Sequence, residues 1–131
     1  LLMKLLQFLF KKEVYTLLLN IDFIPFLGMI PFGEAVEFIF HLFIALFIGI
    51  LYVFIIDRYK LFKKISNQFL LAFLLTFPTI FLYFPLTIWA IKETPSASDF
   101  FAFILWAFAH LVFALLMPLI YNAFQGKRKF F

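Results

Sequence analysis

Three long apolar runs constrain this chain more than any other feature of its sequence. They cover residues 38–56, 69–91 and 100–121, and none of them contains Asp, Glu, Lys or Arg. A helix needs roughly 20 apolar residues to cross the hydrocarbon core of a bilayer. A backbone in lipid must pair its own polar groups, which a helix does within one segment. We therefore predict an all-α integral membrane protein.

The composition excludes the main classes of soluble protein. Of 131 residues, 66% are hydrophobic, 14% are charged and 24 are Phe, whereas a soluble domain is about 45–50% apolar and about 25% charged. A soluble enzyme, a disordered tail and a nucleic-acid-binding domain are therefore excluded, although the formal net charge is +4. The absence of Cys excludes disulfides and thiolate metal sites. The first expected partner is the lipid bilayer, and nucleic acid is not expected.

The apolar runs and their flanks define one membrane domain over residues 1–131. Its predicted parts are transmembrane helices at 34–57, 67–91 and 100–122 and a basic cytoplasmic tail at 123–131. Pro78 and Pro85 each remove a backbone donor from the second long helix. We therefore predict a kink in that helix. The helices should pack as a small bundle.

The first 33 residues allow two interpretations. Polar side chains recur at helical spacing at Lys4, Gln7, Lys11 and Tyr15. This pattern in residues 1–19 favours an amphipathic helix at the membrane surface. Residues 14–32 predict either a re-entrant segment or a broken first span, because they are apolar but contain Asp22 and two prolines. The bundle is thus expected to have three to four transmembrane helices, and a further helix before Leu1 is also left open because the chain does not begin with Met.

The charged residues predict how the protein is oriented. Ten of the eleven Lys and Arg residues fall in three clusters, at 4–12, 58–64 and 127–129, and five of the seven acids lie on the opposite side of the predicted helices. Short loops rich in Lys and Arg remain in the cytoplasm. We therefore predict a bacterial inner-membrane protein whose 58–64 loop and C-terminus are cytoplasmic. Binding of anionic lipid is the alternative interpretation of the basic clusters.

The first and third long helices share a sequence pattern. Both contain His-Leu-x-x-Ala-Leu-x5-Tyr, from His41 to Tyr52 and from His110 to Tyr121, at an offset of 69 residues. The match indicates either two parallel helical hairpins related by an axis along the membrane normal or a coincidence. In both cases the two histidines are equally distant from the predicted cytoplasmic boundary, so we expect them at the same depth.

At these residues the chain resembles the YagU-like and YqhR-like small bacterial inner-membrane proteins. The pattern of that family is similar to His41, Gly49 and Tyr52 at their spacing here, and a later family stretch looks like Phe84-Pro85-Leu86 followed by 109–113. The resemblance covers residues 34–121. It implies a four-helix inner-membrane protein with both ends in the cytoplasm and no established activity. The chain departs from the family before residue 34, where the first family helix is not recognisable.

The candidate functional residues are polar side chains inside or beside the predicted spans. They are Asp22, Glu34, Glu37, His41, Tyr52, His110 and Tyr121. Glu34, Glu37 and His41 follow the spacing i, i+3, i+7, which places them on one helix face. Ionisable side chains within a membrane are by default candidates for a functional site. They also serve as hydrogen-bonded contacts between helices.

Three chemistries remain open for this cluster. The first is helix packing, and the second is a path for protons or ions. The third is a His/Glu metal site, or a haem held by His41 and His110. Glu37 and His41 are spaced E-x3-H, whereas di-iron bundles use E-x-x-H. No metal ligand and no cofactor is therefore predicted.

The chain contains no nucleotide-binding loop and no hydrolase motif. We therefore predict a small multi-pass inner-membrane protein with a structural or accessory role and no enzymatic activity. One alternative is a small oligomeric channel or transporter for protons or a small solute. Another is a haem- or metal-binding redox protein. The expected protein partners are further copies of this chain in a homo-oligomer, or a larger membrane complex.

Overall fold

A computed structural model describes residues 1–128, and this part of the chain is helical without any strand. The helices are α1 (Leu2–Phe10), α2 (Val14–Leu18), α3 (Glu34–Arg58), α4 (Ile65–Phe81), α5 (Tyr83–Ile88) and α6 (Phe100–Arg128), with one 3-10 turn at Lys60–Lys63. Residues 129–131 of the predicted basic tail lie outside the described residues.

Three helical segments are long and apolar enough to cross a membrane. They are Glu34–Arg58, Ile65–Ile88 and Phe100–Gly126. The prediction of a helical membrane protein is thereby confirmed. The residues before α3, 1–33, form the N-terminal segment. Within it α1 has nine residues and α2 has five, so neither approaches the roughly 20 that a span needs.

Two helix ends differ from the predicted ranges by three residues or more, and two others, at Arg58 and Ile65, differ by one and two residues. The second span ends at Ile88 rather than at residue 91, and α6 continues to Arg128 rather than stopping at residue 122. Nothing after residue 122 ends α6 early, because no described residue there takes the left-handed conformation that commonly closes a helix. The described part of the predicted tail is therefore an extension of α6.

The helices α3 and α6 run in the same direction, and α4 and α5 run against them. At one end of the bundle Lys92 pairs with Glu37, and at the other the Asn122 side-chain amide donates to Gln68 Oε1 at 2.6 Å. We call the first the acidic end, because α3 begins there with Glu34 and Glu37. The second is the basic end, where the 3-10 turn carries its lysines.

The second span is interrupted at Leu82, between α4 and α5. Pro85 has no backbone N–H to donate to the carbonyl of Phe81, four residues earlier, and α4 ends at Phe81. The indole N–H of Trp106 donates to the carbonyls of Thr79 and Ile80 just before this interruption, at 3.2 and 3.1 Å. A neighbouring helix thus provides a donor beside a proline break, which is how broken helices are tolerated in membranes.

The buried apolar side chains form two separate clusters. The cluster near the acidic end comprises Met3, Leu6, Val14, Tyr15, Leu17, Leu19, Tyr83, Leu86, Ala102, Leu105 and Trp106. The cluster near the basic end comprises Tyr52, Ile56, Leu71, Ala72, Ala114 and Met117. The N-terminal segment contributes only to the first cluster, so it covers the acidic end of α5 and α6.

The N-terminal segment folds back on itself instead of forming one amphipathic helix. Lys11 ends α1 in the left-handed conformation, with φ of 55°. The side-chain oxygen of Gln7 then accepts the backbone N–H groups of Tyr15 and Thr16, at 2.9 and 3.0 Å. Gln7 therefore satisfies the free donors at the start of α2, and Tyr15 is buried rather than part of a polar surface stripe.

Helix α3 is the least covered of the three spans. In its most apolar stretch only 11% of the residues are buried, against 33% in each of the other two spans. Its inward face is nevertheless defined, since Glu37, Tyr52 and Ile56 are its buried positions. The remaining surface of α3 is apolar and open.

Candidate polar site within the helix bundle

The candidate residues lie at three successive levels along the bundle. The acids Asp22, Glu34 and Glu37 are at the acidic end, and the two histidines lie on α3 and α6 within the spans. Tyr52 and Tyr121 contact each other near the basic end. The structure therefore separates the predicted cluster instead of joining all seven side chains.

Asp22 fastens the N-terminal segment to the turn after α5. Its Oδ2 atom accepts the backbone N–H groups of Ile91 and Lys92, at 2.7 and 3.1 Å. Asn20 adds a second tie, because its side-chain N–H donates to the carbonyl of Leu86 at 2.9 Å. Asp22 thus acts as a backbone acceptor in the structure.

Glu34 holds α1 and α2 against the start of α3. Its Oε1 atom accepts Lys4 Nζ at 2.6 Å and the Tyr15 hydroxyl at 3.0 Å. The hydrogen bond to Glu34 and the attraction of its charge raise the pKa of Lys4. Burial raises the pKa of Tyr15, and its bond to Glu34 acts in the same direction. Lys4 and Glu34 are both solvent-exposed, and exposed pairs contribute little stability.

Two further ion pairs close the acidic end. Glu37 is largely buried and binds Lys92, which belongs to the loop between α5 and α6. Lys12 binds the Oδ2 atom of Asp99 at 2.6 Å. The hydrogen bond from Lys12 lowers the pKa of Asp99, and the backbone N–H of Ala102 lowers it further. These pairs connect the N-terminal segment, α3 and the last loop.

The N-terminal lysine cluster lies with the acids rather than on the opposite side of the helices. Lys4 and Lys12 are both paired with acids of the acidic end. Counted over the sequence, this end carries Lys4, Lys11, Lys12 and Lys92 against Glu13, Asp22, Glu34, Glu37, Glu93 and Asp99. It therefore has a net negative charge, whereas the 58–64 loop has four basic residues beside Asp57.

His41 and His110 lie at the same level of the bundle. Tyr52 and Tyr121 are in edge-to-face contact, with ring centroids 6.1 Å apart. Each histidine precedes its tyrosine by eleven residues on parallel helices, which places both about 16 Å nearer the acidic end.

The two imidazoles differ in how they are held. His110 Nδ1 lies 2.8 Å from the carbonyl oxygen of Trp106. A carbonyl can only accept, so this nitrogen carries the proton and Nε2 remains an acceptor. The His110 ring also packs on Trp106, with centroids 4.5 Å apart. His41 makes no hydrogen bond to any residue from 1 to 128, and it is half-buried.

Thr76 of α4 reaches the level of the histidines. Trp106 is bonded to the carbonyls of Thr79 and Ile80. Toward the basic end, Thr76 lies three residues beyond Thr79 and His110 lies four beyond Trp106, so the antiparallel helices bring them to one height. We call His41, Thr76 and His110 the histidine level. The Thr76 hydroxyl is buried and has no hydrogen-bond partner among the described residues.

Tyr52, Tyr121 and Asp57 form the polar group nearest the basic end. The Tyr121 hydroxyl donates to Asp57 Oδ1 at 2.9 Å, and Asp57 is also 3.4 Å from Lys63 Nζ. The Tyr52 hydroxyl is buried without a partner in the described part of the chain. A groove of about 320 Å³ between α3 and α6 is lined by Tyr52, Asp57, Tyr121 and Gly49, among others. Tyr52 therefore lies at the wall of this groove.

Sequence reasoning missed several of the residues that shape the site. Thr76 is one of many polar residues in apolar context, and its buried hydroxyl follows only from the packing of α4. The bond of Trp106 had no signal either, because the two prolines free the carbonyls of Leu74 and Phe81, whereas Trp106 donates to those of Thr79 and Ile80. The pairing of lysines with the acids had no signal in the sequence, because partners such as Lys12 and Asp99 are far apart along the chain, here by 87 positions.

Metal ligation receives no support from the described residues, among which no group of three or more His, Cys, Asp or Glu is placed to hold an ion. No family model, no curated protein and no solved structure matches the chain.

Proposed function

We propose that the protein is a structural or accessory component of a bacterial inner membrane that works without catalytic chemistry. The observation that supports this role is the use of the acids at the acidic end. Asp22 binds backbone amides, and Glu34, Glu37 and Asp99 each bind a lysine. Side chains that sequence alone offers for chemistry thus serve to hold the elements together.

The proposal includes an orientation. The 58–64 loop carries four basic residues, and short basic loops are retained in the cytoplasm. The basic end, with the end of α6, is therefore placed in the cytoplasm, and the acidic end with the N-terminal segment faces outward. The kinship with the YagU-like family is part of the same proposal, supported by the matching residues around His41, Tyr52 and His110. The cytoplasmic N-terminus of that family is not carried over, because the N-terminal segment lies at the acidic end. We also propose that the second span is kinked near Leu82, which Pro85 supports.

An accessory component works in an assembly, either a homo-oligomer or a larger membrane complex. The open surface of α3 supports this, since it is the span with the least cover. The chain contains no Cys, so a single engineered Cys reports on one surface. Phe47→Cys lies on the exposed surface of α3, and Leu74→Cys, on the exposed surface of α4, is the matched control.

The experiment is oxidative cross-linking of each variant in native membranes. We expect Phe47→Cys to give a cross-linked dimer and Leu74→Cys to remain uncross-linked. The mass of the wild-type protein, extracted with its surrounding lipid, should exceed that of a monomer. A monomeric mass together with no cross-link from either variant would contradict the accessory role.

A further inference from the structure

Two buried hydroxyls inside the bundle lack the partner that such groups require. Tyr52 and Thr76 are each only 1% exposed, and their hydroxyl groups have no hydrogen-bond partner among residues 1–128. A buried hydroxyl without a partner is costly in an apolar medium. Buried polar groups without a protein partner commonly bind ordered water.

Thr76 differs from the other threonines of the second span, because its hydroxyl is not bonded to its own helix. Threonine in a helix usually satisfies its hydroxyl on a carbonyl of the preceding turn. Thr79 and Thr87 do so, since each donates to the carbonyl three residues earlier. Thr76 does not, although it lies on the same span. Its hydroxyl is therefore available to a partner other than its own helix.

The histidine level places three proton-exchanging side chains at one height. Thr76 belongs to α4, His41 to α3 and His110 to α6. His110 keeps its Nδ1 proton on the Trp106 carbonyl, so its Nε2 atom can take up and return a proton. His41 is held by no hydrogen bond in the described part of the chain. It can accept a proton on one ring nitrogen and release one from the other.

Polar groups continue from this level toward both ends of the bundle. Glu37 lies four residues before His41, hence on the same face one turn nearer the acidic end. Toward the basic end, Tyr52 contacts Tyr121, whose hydroxyl is bonded to Asp57. Between the histidine level and Tyr52, the buried positions include the small residues Ala72 and Ala114 as well as Leu71 and Met117.

We propose that water bound to the hydroxyls of Thr76 and Tyr52 joins His41 and His110 to the Tyr121–Asp57 pair and so forms a path for protons between the two ends of the bundle. In each step a proton leaves an O–H or N–H donor and joins the lone pair of the next group. His110 takes up and returns its proton at Nε2, whereas His41, the waters and the hydroxyls must each reorient before they pass the next proton. No bond other than these is made or broken. The driving force is the transmembrane proton gradient. This activity goes beyond the accessory role proposed above and does not depend on it.

The test is proton flux into vesicles that contain the purified protein and a pH-sensitive dye. A potassium gradient with valinomycin sets the membrane potential. We expect the wild-type protein to acidify the vesicles faster than protein-free vesicles. Tyr52→Phe and Thr76→Val each remove one hydroxyl and should lower the flux at least tenfold.

Two matched substitutions serve as controls. Tyr59→Phe removes a hydroxyl from an exposed tyrosine after α3, and Thr87→Val removes one that is bonded to its own helix. Both should retain wild-type flux. No flux above that of protein-free vesicles would overturn the proposal, and so would equal flux in the wild type and in both hydroxyl-deleted variants.

Thermal stability gives a readout that does not depend on flux. A hydroxyl that binds water loses that bond on substitution, so Tyr52→Phe and Thr76→Val should each lower the unfolding temperature of the protein. Higher unfolding temperatures for both variants would show that the hydroxyls are dry, and the path would then be excluded. A loss of flux with an intact, folded variant supports the path regardless of whether the protein assembles with partners.

Discussion

At Gly28 the fold leaves no room for a side chain. A Cβ atom at this position would lie 2.7 Å from the Cα atom of Asp22 and closer still to its carbonyl oxygen. Both are backbone atoms of the loop that Asp22 ties to the turn after α5. Space for a methyl group can therefore come only from a shift of the loop itself.

We expect Gly28→Ala to lower the free energy of unfolding by about 1–3 kcal/mol, as other overpacked substitutions do. Gly49→Ala is the control, because a Cβ atom there meets nothing within 4 Å. It should leave the free energy of unfolding unchanged or higher, since Ala is the better helix former. Reversible unfolding in bicelles measures both. Equal losses at the two positions would argue against the described loop.

Asp99 should make the stability of the protein depend on pH. The hydrogen bond from Lys12 is the largest cause that lowers its folded-state pKa below the ordinary 3.8, followed by the N–H of Ala102. Because its folded-state pKa is the lower of the two, ionised Asp99 stabilises the folded protein at pH values above the unfolded-state pKa. This stabilisation is lost as the pH falls through the folded-state pKa. We expect the free energy of unfolding to decline below pH 3.8, and to decline less in Asp99→Asn. Lys12→Met should flatten the curve in the same way, and an unchanged curve in both variants would contradict the ion pair.

At the level of the elements, one indole links α6 to the second span beside its interruption. Trp106 is buried and donates to the carbonyls of Thr79 and Ile80 next to the interruption at Leu82. A phenylalanine fills much of the same space but has no N–H. The substitution therefore isolates the hydrogen bonds from the packing.

We expect Trp106→Phe to lower the free energy of unfolding by about 1–3 kcal/mol, because the carbonyls of Thr79 and Ile80 lose the N–H of Trp106. Trp89→Phe is the matched control, since Trp89 is 62% exposed, and it should be close to neutral. The measurement is chemical unfolding in mixed micelles. A neutral Trp106→Phe would mean that the carbonyls beside the break find another partner.

The elements differ in how well sequence predicts them. The apolar runs predict the three spans because lipid leaves a continuous apolar chain no alternative to a helix. The two prolines predict a kink at Pro78 or Pro85 without distinguishing them; α4 continues through Pro78 and ends at Phe81, four residues before Pro85. The N-terminal segment was not predictable in the same way. Its form depends on Gln7 reaching back to α2 and on ties to residues about seventy positions away, such as Asp22 to Lys92.

The candidate site shows the same division. The equal height of His41 and His110 follows from a pattern within the sequence, and the contact between Tyr52 and Tyr121 agrees with it. The roles of Asp22, Glu34 and Glu37 do not follow from sequence, because their partners are brought to them by the folding of loops. An isolated acid near a span has the same appearance in sequence whether it binds a lysine or a proton.

At the scale of the whole molecule, the two ends of the bundle should lie on opposite sides of the membrane. Ser66 and Ser98 are exposed serines at the basic and acidic ends. The chain has no Cys, so Ser66→Cys and Ser98→Cys each carry a single thiol. We expect a membrane-impermeant maleimide to label Ser98→Cys in intact cells, and Ser66→Cys only after the membrane is opened. The reverse pattern would invert the proposed orientation, and labelling of both in intact cells would contradict three spans.

Lys12 is synthesised long before the residue that binds it. Asp99 follows 87 positions later, and at about 5–20 residues per second the ribosome needs about 4–17 s to reach it. During that interval α1 and α2 have neither α5 nor α6 to pack against, and their apolar side chains face lipid or the insertion machinery. The acidic end must therefore close last, after the third span has been inserted. A nascent chain halted before residue 99 should consequently expose its first twenty residues to proteases that cannot cut the finished protein there.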